Sequence, residues 1–352
     1  MHISKIIVIV FCALTSLFNN IQCLTYGSNT AVAVAALTTV ASGDPTNQII
    51  GFSAFANGLT IPNASTLCYY NNFFPIYGPV TMNGGLLNLS RDLTFGSNVT
   101  LPTAGQFNGN GNSLFLPTKT TPFEINGGIM GNVTVVANSP LQLNSLITFT
   151  NRSVIEGNGN IIDCASGGIV VGSGGSLKIQ NATIKGMASN KFYCADNTAT
   201  VTLQDVTCLL SNTLTFSQGR MDFVGTNMFS GAQVFLYQST RSMTVKSNTT
   251  LMFDSGMTFS YAANANNLIS FDDVSSVLKL SETTLYAGAS GLRFTKGSIV
   301  LDGLCPMLND GTSSLNGISI GDGISSANNA VLTVLAESGI VVNRGYFVNN
   351  NV

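Results

Sequence analysis

The chain has 352 residues, with 14 Lys+Arg against 16 Asp+Glu and a formal net charge of -2. Charged residues make up 9% of it, against roughly a quarter in ordinary domains; this argues against long charged surface helices and against a basic face for nucleic acid or anionic membranes. Hydrophobic residues reach 45%, and abundant Val, Ile, Thr and Phe with Gly and Asn as turn residues mark an all-β composition.

Lys5 and the apolar run Ile6 to Leu14 predict a signal peptide over residues 1–23, cleaved after Cys23. The run falls short of the about 20 residues that span a bilayer. A lipid-modified Cys23 is the alternative. The mature chain is therefore expected to be secreted, periplasmic or held at the cell surface, without a membrane-spanning segment. The one histidine, His2, lies in the signal, which excludes a Ser-His-Asp triad and a His-bearing zinc site from the mature chain.

Residues 24–80 predict an N-terminal cap and the first coils, with Thr30 to Val40 as a strand or a short apolar helix. Residues 81–352 carry a repeat. Phe107-Asn-Gly-Asn-Gly-Asn-Ser-Leu114 returns as Ile155-Glu-Gly-Asn-Gly-Asn-Ile-Ile162, 48 residues later. Ser176 to Ile184 is echoed by Thr200 to Cys208 at an offset of 24, then by Val277 to Leu285 and by Ser298 to Leu304. Each is a short strand of alternating apolar and polar residues. One such strand cannot bury its apolar side alone, so repeats of this length stack. The expected fold is all-β, a single-stranded parallel β-helix with coils of about 20–24 residues, in which 48 residues make two coils. Gly109-Asn110, Gly127-Gly128, Gly159-Asn160 and Gly167-Gly168 are read as left-handed corner positions. Asparagines at equivalent corners are expected to hydrogen-bond up the column.

Glu156-Gly-Asn-Gly-Asn-Ile-Ile-Asp163 and Gly174-Gly-Ser-Leu-Lys-Ile-Gln-Asn-Ala-Thr-Ile-Lys-Gly186 resemble right-handed parallel β-helices of the pectate-lyase-like superfamily. The resemblance covers roughly residues 80 to 345 and concerns the fold, which hosts several chemistries. Gly-Gly-Ile at 127–129 and 167–169, with Phe347-Val-Asn-Asn350, resembles the polymorphic membrane proteins of intracellular bacteria, which are β-helical adhesins. No barrel sequence accompanies these motifs.

Similarity to pectinesterases implies a trio: Asp205 of Gln204-Asp205 as general acid, Asp222 of Gly219-Arg-Met-Asp-Phe223 as nucleophile, and Arg293 orienting the latter. The spacing departs from that family. Asp205 and Asp222 are 17 apart, less than one coil, and the chain has no Trp for a sugar platform. Asp272-Asp273 suggests a glycosidase pair, but neighbours on a strand point to opposite faces, so a turn is the expected reading. The Gly-His-Gly signature of polygalacturonases and the acidic calcium cluster of pectate lyases are absent.

Sequons at Asn63, Asn88, Asn98, Asn132, Asn151, Asn181 and Asn248 are expected by chance in a chain this rich in Asn, Ser and Thr. Signal and repeat style read as bacterial. Of seven cysteines five remain after Cys23 is removed, with no C-x-x-C pair, so a zinc site is not expected. Buried thiols are the expected reading. An oxidising compartment allows one or two disulfides, and Cys194 and Cys208 are nearest in sequence.

No catalytic, cofactor-binding or metal-ligating residue is assigned. The reading is an exported β-helix, a non-catalytic surface, adhesion or glycan-contacting scaffold. Its partner is a glycan or a host or cell-surface ligand, not nucleic acid. The alternative is a carbohydrate-active enzyme, pectinesterase-like or polysaccharide lyase-like.

Overall fold

The computed structural model describes residues 25–352 apart from 35–37, 40–46, 56–57, 62–66, 73–74, 97–98, 101–104 and 255. The expected signal segment over residues 1–23 and the sequons at Asn63 and Asn98 lie outside the described residues. The chain is an all-β parallel solenoid, its only described helices being two three-residue 3-10 turns at Ser314–Asn316 and Ser326–Asn328. It divides into two compact units, residues 1–117 with 125–133, and residues 118–124 with 134–352.

In the first unit, Thr25–Val34 is a strand, which settles that part of the Thr30–Val40 ambiguity. It pairs in parallel with Asn47–Phe55, that strand with Leu67–Asn72, and that one with Leu86–Leu89. Leu86–Leu89 then pairs with Gln106–Asn108, and this with Gly128–Gly131. Inside lie Leu59, Ile61, Tyr70, Val80, Leu87 and Phe107, with the Phe95 ring edge-on to Phe107 at 6.2 Å.

The second unit shows the sequence repeat as a register. Ser176–Met187 pairs with Thr200–Leu210 residue for residue, Ser176 against Thr200 and Ile184 against Cys208. Val277 likewise meets Ser298. Alternation explains why. Leu177, Ile179 and Ile184 point inward and are fully buried, while Lys178, Gln180 and Thr183 point outward. Between the two halves of this long strand the chain turns at Asn181, with φ +51. Asp205 (φ +54) and Gly225 (φ +69) occupy the same step on the next two coils. The left-handed region costs a non-glycine residue about 1–2 kcal/mol, and Asn and Asp tolerate it best. The steps per coil are 24 residues from Ser176 to Thr200 and 20 from Thr200 to Arg220. They widen to 27 from Thr250 to Val277 and 33 from Ser298 to Val331. Core positions fix only the strands, so corners absorb the extra residues, including both 3-10 turns.

Two sequence expectations change. Phe107 lies in a strand paired with Leu87 and Met130, whereas Ile155 pairs with Val135 and Ile179 in a different sheet. The Gly-Asn-Gly-Asn phrase is therefore a local corner used twice, not a marker of positions two coils apart. Asn110 and Gly111 in one copy, and Asn158 and Gly159 in the other, take positive φ. Gly127 and Gly128 are also left-handed, at φ +83 and +100. Gly167 and Gly168 are not, and serve a different purpose described below.

The amide columns are present. Asn108 Nδ2 donates to Asn88 Oδ1, and Asn158 Nδ2 to Asn138 Oδ1, each at 2.9 Å and 20 residues earlier. Among the described residues no helix is long and apolar enough to cross a membrane.

Candidate functional site

A concavity lies where a ladder of the second unit is interrupted. Gly168–Val171 pairs with Phe192–Cys194, and further on Leu214–Phe216 pairs with Val234–Tyr237. Phe192–Cys194 and Leu214–Phe216 belong to different sheets. One serine replaces the missing rung. The Ser189 amide and hydroxyl both donate to the Thr213 carbonyl, at 3.1 and 2.9 Å, and Thr215 N donates to Ser189 Oγ at 2.8 Å. Residues 188–191 turn back on themselves, with the Lys191 and Phe192 amides both on the Ala188 carbonyl. This turn displaces the strand edge that would otherwise close the seam.

The seam opens into a shallow groove of about 730 Å³, largely open to solvent. Tyr193, Thr215 and Ser217 line it, with Asn190 and Gln218 at its rim. Leu146 adds an apolar patch from two coils earlier, because Gly168 occupies the intervening coil. A Cβ on Gly168 would lie 2.9 Å from Leu146 Cδ2 and 2.3 Å from the Lys191 carbonyl oxygen. A Cβ on Gly167 would meet the Ser145 carbonyl at 2.4 Å. The Gly-Gly pair thus permits close backbone approach rather than a left-handed turn. No carboxylate, histidine, lysine or arginine lines the groove. Its one sulfur, on Cys194, is a neutral thiol, pushed up to about 12 by burial and then by the Asp196 charge.

The pectinesterase-like trio is not assembled. Asp205 sits at the left-handed corner, its Oδ1 accepting the Thr226 amide at 2.8 Å. Asp222 stands in register with Thr202 and accepts Arg220 Nε at 2.8 Å. From Asp222 the register runs through Thr244 to Ser270, whereas Arg293 lies in Leu292–Phe294, a strand of another sheet paired with Ile318–Ile320, with the Phe294 ring 5.8 Å from Phe271. Arg293 Nε is buried without a partner.

Asp196, Asp272 and Asp273 hold corners. Asp196 accepts from the Thr198 hydroxyl, the Ser173 hydroxyl and the Thr198 amide, which together hold its carboxyl near 2. Asp273 accepts from Ser275 and Ser247, and Asp272 faces Lys246 at 3.7 Å, so the pair is a turn. Among the described residues no three His, Cys, Asp or Glu side chains are placed to share a metal ion. Asp205→Ala is expected to cost about 1 kcal/mol, through the lost acceptor and the left-handed φ. Asp205→Gly should cost less, because glycine is at ease there. Urea unfolding midpoints of the two variants check the order.

The sequons are corners too. Asn132, Asn151, Asn181 and Asn248 all take positive φ between 51° and 55°. Asn88 is buried. The five described cysteines, Cys68, Cys164, Cys194, Cys208 and Cys305, are all buried and free, so Cys194 and Cys208 are not bridged. No protein-family model, curated protein or solved structure matches the chain. The groove itself was not found in the sequence. Its signals were Gly167-Gly168 and the break in alternation at Ala188 to Lys191.

Proposed function

We propose that this protein is an exported, non-catalytic scaffold whose β-solenoid contacts a glycan or a cell-surface ligand. The observation that carries the reading is a groove whose lining holds no carboxylate, imidazole, lysine or arginine. Glycoside cleavage, ester hydrolysis and β-elimination each need a positioned proton donor or acceptor, a nucleophile or a metal. Asp205, Asp222, Asp273 and Asp302 on the outer faces are tied to turn amides, hydroxyls and cations instead. Export rests on the Lys5 to Leu14 signal. The pectate-lyase-like, right-handed character of the coil rests on Glu156–Asp163 and Gly174–Gly186, and is part of the same proposal.

The full mature chain is expected to show no turnover of pectins or other acidic polysaccharides, with or without calcium, when reducing ends, unsaturated products and released methanol are followed. Turnover abolished by Asp222→Asn would overturn the reading in favour of an esterase. In the scaffold reading, Asp222→Asn removes only a partly exposed ion pair with Arg220 and costs at most about 1 kcal/mol.

A further inference from the structure

We infer that the seam groove is a binding site for a neutral oligosaccharide, an inference that rests on the scaffold reading above and assigns its site. Three features of the groove converge on that ligand class. The first is the broken ladder. In this row the coils are joined by regular rungs on both sides, yet no backbone hydrogen bond joins Phe192–Cys194 to Leu214–Phe216. Edge amides and carbonyls there need hydroxyl-type partners, since an unpaired backbone group out of water costs about 1–3 kcal/mol. Water supplies them in the free groove, and sugar hydroxyls have the same donor and acceptor character.

The second feature is the lining. Tyr193 presents a half-exposed ring beside the Thr215 and Ser217 hydroxyls, with the amides of Asn190 and Gln218 at the rim. A primary amide offers one acceptor and two donors, which suits adjacent hydroxyls on one ring. An aromatic ring with a polar tip suits a ligand that is apolar on its face and wet at its edge. The Leu146 patch extends the apolar side.

The third feature is the absence of charge. A uronic or sialic carboxylate would enter with no cation among the lining residues, an uncompensated desolvation cost. The site therefore selects neutral sugars. An extended peptide is the competing occupant of any open strand edge. It is disfavoured here because Ser189 already bridges Thr213 and Thr215, blocking continuous pairing at one end of the seam.

The test is an array of neutral oligosaccharides beside sialylated and uronic ones, followed by calorimetry of the best neutral binder with the full mature chain. Neutral binding is expected. Tyr193→Ala and Gln218→Ala should each weaken it about tenfold, while the distant Lys279→Ala leaves it within twofold. Far-UV circular dichroism checks folding, and exposed Gln218 keeps the test open if Tyr193→Ala misfolds. Neutral binding indifferent to both groove variants would overturn the site and leave the scaffold reading standing. Binding confined to acidic sugars or to extended peptides, or no glycan binding at all, would also overturn the site. Turnover of any bound glycan would overturn the scaffold reading itself.

Discussion

Phe253→Ala is expected to destabilise the second unit by about 3–5 kcal/mol, the range for deleting a fully buried aromatic side chain. Phe253 is 0% exposed, and its ring lies 4.3 Å from Phe259, 5.4 Å from Phe229 and 5.7 Å from Phe235. Four phenylalanines from two coils thus form one stack, and removing this member leaves a cavity that touches all the others. Each coil in a stacked repeat contacts mainly its neighbours, so the loss stays local. Hydrogen exchange should show early opening at residues 226–261, with the strands over 152–204 still protected. Met252→Ala, one residue away on the outer face, is expected to change stability by no more than about 0.5 kcal/mol. A Phe253→Ala protein within 1 kcal/mol of the parent would show that the stack contributes little.

The strands of the second unit were legible in the sequence because burial alternates with a period of two. Ser176 to Ile184 and Thr200 to Cys208 look alike because each position faces the same environment one coil on, and the structure pairs them at the same offset. Corners are less legible, because a turn is satisfied locally and the same phrase serves at any corner. That is why Gly109-Asn110 and Gly157-Asn158 look equivalent but join different pairs of strands. Coil length suffers for the same reason: long corners on either side of the buried strand Ile318–Ile320 stretch the step from Ser298 to Val331 to 33 residues.

The groove was illegible for a different reason. A site made of a catalytic pair announces itself through residue types, and Asp205, Asp222 and Arg293 drew attention on that ground. The structure gives two of them corner and ion-pair roles and separates the third. The groove instead arises from something missing, a rung between Phe192–Cys194 and Leu214–Phe216. Missing pairing is a property of two segments about 20 residues apart. Ser189, which fills the rung, is an ordinary serine in the sequence, and its meaning lies in reaching Thr213 and Thr215 on the next coil.

Alkaline pH is expected to unfold the chain steeply from pH 9 upward, before most tyrosines ionise. Burial pushes the thiols of Cys68, Cys164 and Cys194 up to about 12 from an ordinary value of 9.0, and that of Cys208 higher still. The folded state therefore keeps these thiols neutral while the unfolded state ionises above pH 9. Their contribution to stability is complete below pH 9 and is lost progressively as pH rises through the folded values. Each such thiol gives a slope of about 1.4 kcal/mol per pH unit once the unfolded thiol is ionised. Cys164, Cys194 and Cys208 share the second unit and together give it a limiting slope of about 4 kcal/mol per pH unit, to which Cys305, also raised by burial, adds. Tyr237 and Tyr261, also raised by burial, steepen it further above pH 10. Urea midpoints at pH 8.0, 9.0 and 10.0 measure the effect. Cys208→Ala should lower overall stability but remove about 1.4 kcal/mol per pH unit of the slope, separating titration from packing. The five described cysteines of the native chain should react with a thiol reagent only slowly at pH 8, and all five should become titratable in denaturant. Fast modification of Cys164 or Cys208 in the native state, or a flat profile from pH 8 to 10, would contradict burial of these thiols in a closed core.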